Sequence, residues 1–257
     1  MRRRRRRMRN TTDSAIRPAA EGRRCEHCGR ALAKRRVPSP FDPAALIPFG
    51  YEECRCEGAR AERLARERAG REEERRREEA ARARAFERAG IPKRYRDAAH
   101  PYAEKMARMA EEGQGFFIHG PNGTFKTTLA MAAARLLMDA GVDVLAVASY
   151  DLMDAMRSRK DEDRRLFERA SGCKVLVLDD LGKEASNTPY ACERLFAIVD
   201  KRDKEMLPVI VTSNCKLSEI AVNIAEGAVG VAIASRLAAS CKQVRLDGPD
   251  RRIHGQD

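Results

Sequence analysis

The stretch "GPNGTFKTT", residues 120–128, constrains this chain more than any other. It follows the phosphate-loop pattern G-x-x-x-x-G-K-[ST] at Gly120, Lys126 and Thr127, and departs from it at Phe125, where the pattern has glycine. The flanks decide what such a loop can be. Before it, Phe116, Phe117 and Ile118 form a short apolar run of strand type. After it, Leu129, Ala130, Ala133, Leu136 and Leu137 recur at helical spacing, and Gly141 closes the helix. Strand, glycine-rich loop, helix is the setting in which backbone N–H groups at a helix N-terminus can wrap phosphates, with a lysine ammonium on the β and γ oxygens. Thr127 would then place its hydroxyl on Mg²⁺. A tight strand-to-helix turn with an incidental lysine reads the same in isolation, so the rest of the chain must supply partners.

It does. "VLVLDDLG" ends an apolar strand on Asp179 and Asp180, at the C-terminal strand edge where open α/β sheets hold ligands. Asp179 would face the hydrated Mg²⁺, and Asp180 would polarise the attacking water. "VIVTSN" ends another apolar strand on Asn214, whose amide can orient that water and sense the γ-phosphate. From about residue 100 onward, strand and helix patterns alternate. Strands are expected at 142–149, 174–180, 207–214 and 242–247, and helices at 127–140, 151–171, 189–205, 216–226 and 231–240. Near-continuous apolar strands between amphipathic helices predict an α/β domain whose parallel sheet is covered on both faces.

The first hundred residues differ in kind. They carry 29 Lys and Arg against 16 Asp and Glu, a net of +13, whereas residues 101–257 carry 22 against 23, a net of −1. The basic excess predicts an acidic partner for the N-terminal region, either nucleic acid or an acidic protein surface. Residues 1–22 are basic and aperiodic and are expected to be a disordered tail. Residues 23–57 hold Cys25, Cys28, Cys54 and Cys56 around a Pro-rich stretch. Two close cysteine pairs 25 residues apart suit tetrahedral Zn²⁺, although the second pair is C-x-C and tighter than a usual ribbon; unpaired exposed thiols are the other reading. His27 is a spare ligand or a bystander, and Cys173, Cys192, Cys215 and Cys241 are scattered fillers. Residues 58–98 are expected to form a charged connecting helix, with Glu and Arg paired at i, i+4. No stretch approaches 18 apolar residues and no apolar core follows the basic start, so neither a membrane span nor secretion is expected, and the cytoplasm is the default.

Taken together, "GIPKRYRDA" (90–98), "GPNGTFKTTLA", "LVLDDLGKE", "VDKRD" (199–203), "VIVTSN", "SRL" (235–237) and "GPDRR" (248–252) resemble a replicative helicase loader of the DnaC/DnaI type, close kin to the IstB transposition ATPases of the AAA+ class. The resemblance covers roughly residues 90–252 and implies an AAA+ P-loop NTPase over 99–257. It implies ATP held by Gly120, Pro121, Asn122, Gly123, Thr124, Phe125, Lys126, Thr127 and Thr128, with Thr127 and Asp179 on Mg²⁺. It implies Asp180 and Asn214 as catalytic residues, Asn214 as the first sensor, and Arg236 as an arginine finger reaching a neighbouring subunit's ATP. Arg252 would match the arginine of the family's C-terminal element. The implied partners are the replicative helicase, single-stranded DNA and further copies of the chain. The cysteine segment is also similar to the zinc-containing N-terminal part of some such loaders. An IstB-like transposition helper and a non-hydrolysing adaptor for DNA or helicase are the alternatives.

Overall fold

The computed structural model describes residues 22–157, 161–182, 188–224 and 228–249. The chain divides into two compact units, Met1–Arg77 and Glu78–Asp257. The expected tail at 1–22 lies, but for its last residue, outside the described residues, and so does Arg252.

The first unit contains β1 (Lys34–Pro38) and β2 (Leu46–Tyr51), an antiparallel pair that aligns Val37 with Ile47 and Pro38 with Leu46. A ribbon therefore occupies the stretch that reads in sequence only as Pro-rich. The turn is set locally: Asp42 Oδ1 accepts from the Ala44 N–H, and the Ala45 N–H reaches Asp42 O. The helix α1 (Glu57–Ala89) begins in this unit. Glu62–Arg66, Glu67–Arg71, Glu72–Arg76 and Glu73–Arg77 pair along it at i, i+4. Such exposed pairs add only ~0.3–0.5 kcal/mol each. They support a helix that has few large apolar residues to bury.

The division between units falls inside α1. Its last turn belongs to the second unit, where Phe86 and Ala89 are buried along with Ile91. The helix stops at Ala89 rather than running to 98. Gly90, at φ +68, ends it, and a Cβ there would lie 2.1 Å from the Ala146 carbonyl, so only glycine fits. A single 3-10 turn, Lys93–Tyr95, follows, and then α2 (Ala103–Glu111), which buries Ala103, Met106, Ala107 and Ala110.

The second unit is built on five parallel strands: β3 (Gly115–His119), β4 (Val144–Ala148), β5 (Val175–Leu181), β6 (Val209–Ser213) and β7 (Cys241–Arg245). Their order is β4-β5-β6-β3-β7. Alternate residues enter opposite cores. Phe117, Leu176, Leu178, Val209 and Val211 join one; Phe116, Ile118, Val175, Val177 and Ile210 join the other. The helices α4 (Ser149–Arg157), α5 (Asp161–Gly172), α6 (Pro189–Lys204), α7 (Leu217–Asn223) and α8 (Ala228–Ser240) supply the first core, with Cys173, Cys192 and Cys241 buried in it. The helices α2 and α3 (Lys126–Asp139) supply the second. Both faces are covered, and the C-terminal ends of β3, β5 and β6 come side by side at one edge. No helix among the described residues is long and apolar enough to cross a membrane.

Candidate nucleotide site and cysteine cluster

The loop after β3 is shaped first by Gly120. At φ +150 it passes so close to the chain beyond β7 that a Cβ would lie 1.9 Å from the Leu246 carbonyl. Lys126, the first residue of α3, is 6% exposed. Its ammonium points back into the loop and donates to Gly120 O (2.9 Å) and Pro121 O (2.7 Å). Thr124 Oγ1 closes the loop on Pro121 O at 2.9 Å.

Phe125 accounts for the missing glycine. Its backbone is left-handed, φ +61 and ψ +24, the conformation a glycine would adopt at no steric cost. A bulky residue held there carries strain of roughly 1–2 kcal/mol. The ring is 43% exposed, so the side chain leaves the loop interior to the backbone. Phe125→Gly is therefore expected to leave Mg²⁺–ATP affinity intact or improved, as titration with labelled ATP would read; a severalfold loss would show that the ring itself holds the nucleotide.

The sheet edge brings the carboxylates to this loop. Thr127 Oγ1 donates to Asp179 Oδ1 at 2.9 Å, joining the start of α3 to the end of β5. A hydroxyl and a carboxylate in contact, beside a helix N-terminus, are a pair of oxygen donors that could hold a hydrated Mg²⁺. Arg94, Tyr95, Asn122, Gly123, Thr124, Phe125, Lys126, Thr127, Thr128, Asp180 and Asn214 line one cavity. The structure thus gathers the loop, both aspartates and Asn214. Arg236 lies on α8 and does not line that cavity; its Nε donates to Asp200 Oδ1 at 3.0 Å, with Asp203 Oδ2 at 3.7 Å. Arg94 and Tyr95 also line this cavity and were not among the residues expected there. They come from the "GIPKRYRDA" segment, and the Arg94 guanidinium lies 5.8 Å from the Tyr95 ring centre.

In the first unit, Cys25, Cys28, Cys54 and Cys56 bring their four sulfurs within 4.8 Å of one another. Cys28 and Cys54 are 3.4 Å apart, and Cys25 and Cys56 are 3.7 Å apart. A ZnS₄ tetrahedron with bonds of ~2.3 Å has edges of about 3.8 Å, so the cluster is compatible with Zn²⁺. The surroundings treat the thiols unequally: the Arg30 backbone N–H pulls Cys28 down, but the Cys54 thiol and burial push it up to about 11. The Ala59 N–H at the start of α1 points to Cys56 Sγ (3.5 Å), and backbone N–H groups of Cys28 and His27 pull the Cys25 thiol down to about 6. His27 is engaged elsewhere, its Nε2 on Glu62 at 2.9 Å, which leaves a set of four sulfurs. The donor set is closed, so the metal's part would be to hold β1, β2 and the start of α1 together. One zinc per chain is expected in protein purified without chelator. A ratio near zero, with Cys25→Ser folding as the wild type does, would overturn the assignment.

A family model described as IstB-like ATP binding protein matches residues 63–256. The chain is 28% identical over 145 residues to the IS21 insertion-sequence ATP-binding protein of Pseudomonas aeruginosa, covering 56% of this chain and 54% of that protein. It is also 28% identical over 148 residues to an insertion-sequence ATP-binding protein of Mycobacterium tuberculosis, covering 56% and 58%. The chain spans a little over half the length of these curated relatives. Among solved structures, DnaI matches with a TM-score of 0.50 at 26% identity, over 58% of this chain and 84% of that one. AMPPCP-bound DnaA from Aquifex aeolicus matches with a TM-score of 0.50 over 63% and 53%, a likeness of fold alone at 19% identity.

Proposed function

This chain belongs to the IstB-like ATP-binding protein family, and from that premise we propose that it is an AAA+ ATPase that loads a replicative DNA helicase onto single-stranded DNA. The Thr127–Asp179 contact carries the ATPase half of this reading, because it places a hydroxyl and a carboxylate at the helix end that would face the phosphates. Backbone N–H groups of residues 122–127 would wrap the phosphates, with the Lys126 ammonium moving from loop carbonyls to phosphate oxygens. Thr127 and Asp179 would hold Mg²⁺, whose charge offsets that developing on the γ-phosphoryl group. Asp180 and Asn214 would orient the attacking water, and Arg236 would act on the ATP of a neighbouring copy.

The loader half is supported by the match to DnaI, which extends over most of that chain, and by the cysteine module ahead of the ATPase unit. A second reading, a transposition helper, is favoured by the two insertion-sequence relatives. Affinity capture with the full chain separates them. Recovery of a hexameric helicase, with turnover raised by single-stranded DNA, is the expected outcome. Recovery of a transposase instead would replace the loader reading with the transposition one. Absence of any turnover, with or without DNA, would leave only an adaptor.

A further inference from the structure

Asp179 and Asp180 are neighbours on a strand, and neighbours on a regular strand point to opposite faces. Both nevertheless reach one site. The register explains how: Leu178 pairs with Val211 and Leu181 with Ser213, so Asp179 and Asp180 together oppose the single residue Thr212. This is a β-bulge, and Asp180 adopts φ +60 within it. A bulge interrupts the ladder and leaves backbone groups to be satisfied otherwise.

Thr212 supplies the replacement. It is fully buried, and its hydroxyl accepts the Asp180 N–H at 2.9 Å while donating to Asp179 Oδ1 at 2.6 Å. One side chain thus ties down the left-handed residue and aims the carboxylate that also receives Thr127. Ser149 Oγ, donating to the Asp180 carbonyl at 3.1 Å, restrains the bulge from β4's side.

We propose that Thr212 is a positioning residue that holds the bulge and thereby sets both aspartates for Mg²⁺ and water. The assignment rests on the ATP-site reading above and deepens it. Valine matches threonine in shape but lacks the hydroxyl, so Thr212→Val takes this acceptor from the part-buried Asp180 N–H. Two readouts follow. In amide hydrogen exchange on the full chain, Asp180 should exchange at least about tenfold faster in Thr212→Val, the equivalent of one hydrogen bond, and return toward the wild-type rate in Thr212→Ser. In Mg²⁺–ATP turnover, kcat should fall about tenfold or more and the Mg²⁺ needed for half-maximal rate should rise severalfold, while ATP affinity measured in EDTA stays within about twofold. Thr212→Ser should recover most of the rate. If Thr212→Val does not fold, Thr212→Ala removes the same hydroxyl without added bulk and is read against Thr212→Ser in the same way. Unchanged Asp180 exchange in a folded variant, or wild-type kcat and Mg²⁺ dependence, overturns the proposal. A wild type that hydrolyses no ATP sinks the ATPase reading alone, since the exchange comparison still decides whether Thr212 holds the bulge.

Discussion

Lys126→Ala abolishes saturable Mg²⁺–ATP binding, the first of two large effects expected from this site. Lys126 is 6% exposed, and its ammonium donates to two neutral carbonyls, Gly120 O and Pro121 O. Carbonyl dipoles compensate a buried cation less fully than an opposite charge does. Phosphate oxygens would give it full opposite charge in the same place. A charge-assisted hydrogen bond is worth ~1.5–3 kcal/mol, and one or two of them lost amounts to roughly a hundredfold in affinity or more. The fold should survive, because alanine is a strong helix former at the first position of α3 and no longer has to bury a charge. Titration of labelled ATP with Mg²⁺, alongside circular dichroism, reads both. A wild type without saturable binding would mean that the left-handed Phe125 loop does not take nucleotide. An unchanged affinity in Lys126→Ala would move the phosphates away from this loop.

The residues that make the sheet were legible because burial on both faces writes strands as unbroken apolar runs. "VLVLDD" and "VIVTSN" give β5 and β6 to within two residues, and their polar ends give Asp179, Asp180 and Asn214. What stayed hidden depends on register and on distant partners. Periodicity cannot show that two aspartates oppose one threonine, so the bulge and the part played by Thr212 were not readable. The ribbon at β1 and β2 lacks a clean alternation, with prolines at 38, 40, 43 and 48 and nearly every side chain exposed. Arg202 shows the same limit. Within "VDKRD", which the sequence marks only by its resemblance, Arg202 is fully buried and donates to the carbonyls of Ala170, Cys173, Lys174 and Pro208, tying the end of α5 to the starts of β5 and β6. Its partners lie about 30 residues upstream, except Pro208, and only the fold brings them together.

Arg236→Ala should cost roughly a thousandfold in turnover and little in ATP affinity, because a trans-acting arginine meets only the charge that develops on the γ-phosphoryl group. Within its own chain Arg236 does not line the cavity and is held by α6. Asp200 is the anchor: Oδ1 takes Arg236 Nε at 3.0 Å while Oδ2 takes Lys204 Nζ at 2.6 Å. That carboxyl is held below its usual range by Lys204 first and Arg236 second, so it stays charged at neutral pH and keeps the guanidinium in one place. The Arg236 side chain remains 42% exposed. Such a partly exposed pair contributes ~0–1 kcal/mol to stability, and Asp200 keeps Lys204 when Arg236 is removed, so the variant should fold. An isolated chain should then bind ATP and turn it over slowly. Specific activity should rise with protein concentration, and further with single-stranded DNA that lines copies up. Mixing Arg236→Ala with Lys126→Ala protein should restore part of the rate, since one mixed interface pairs an intact loop with an intact arginine. Normal hydrolysis by Arg236→Ala, or a wild-type specific activity that ignores concentration and DNA, would return Arg236 to the role of a surface ion pair between α8 and α6.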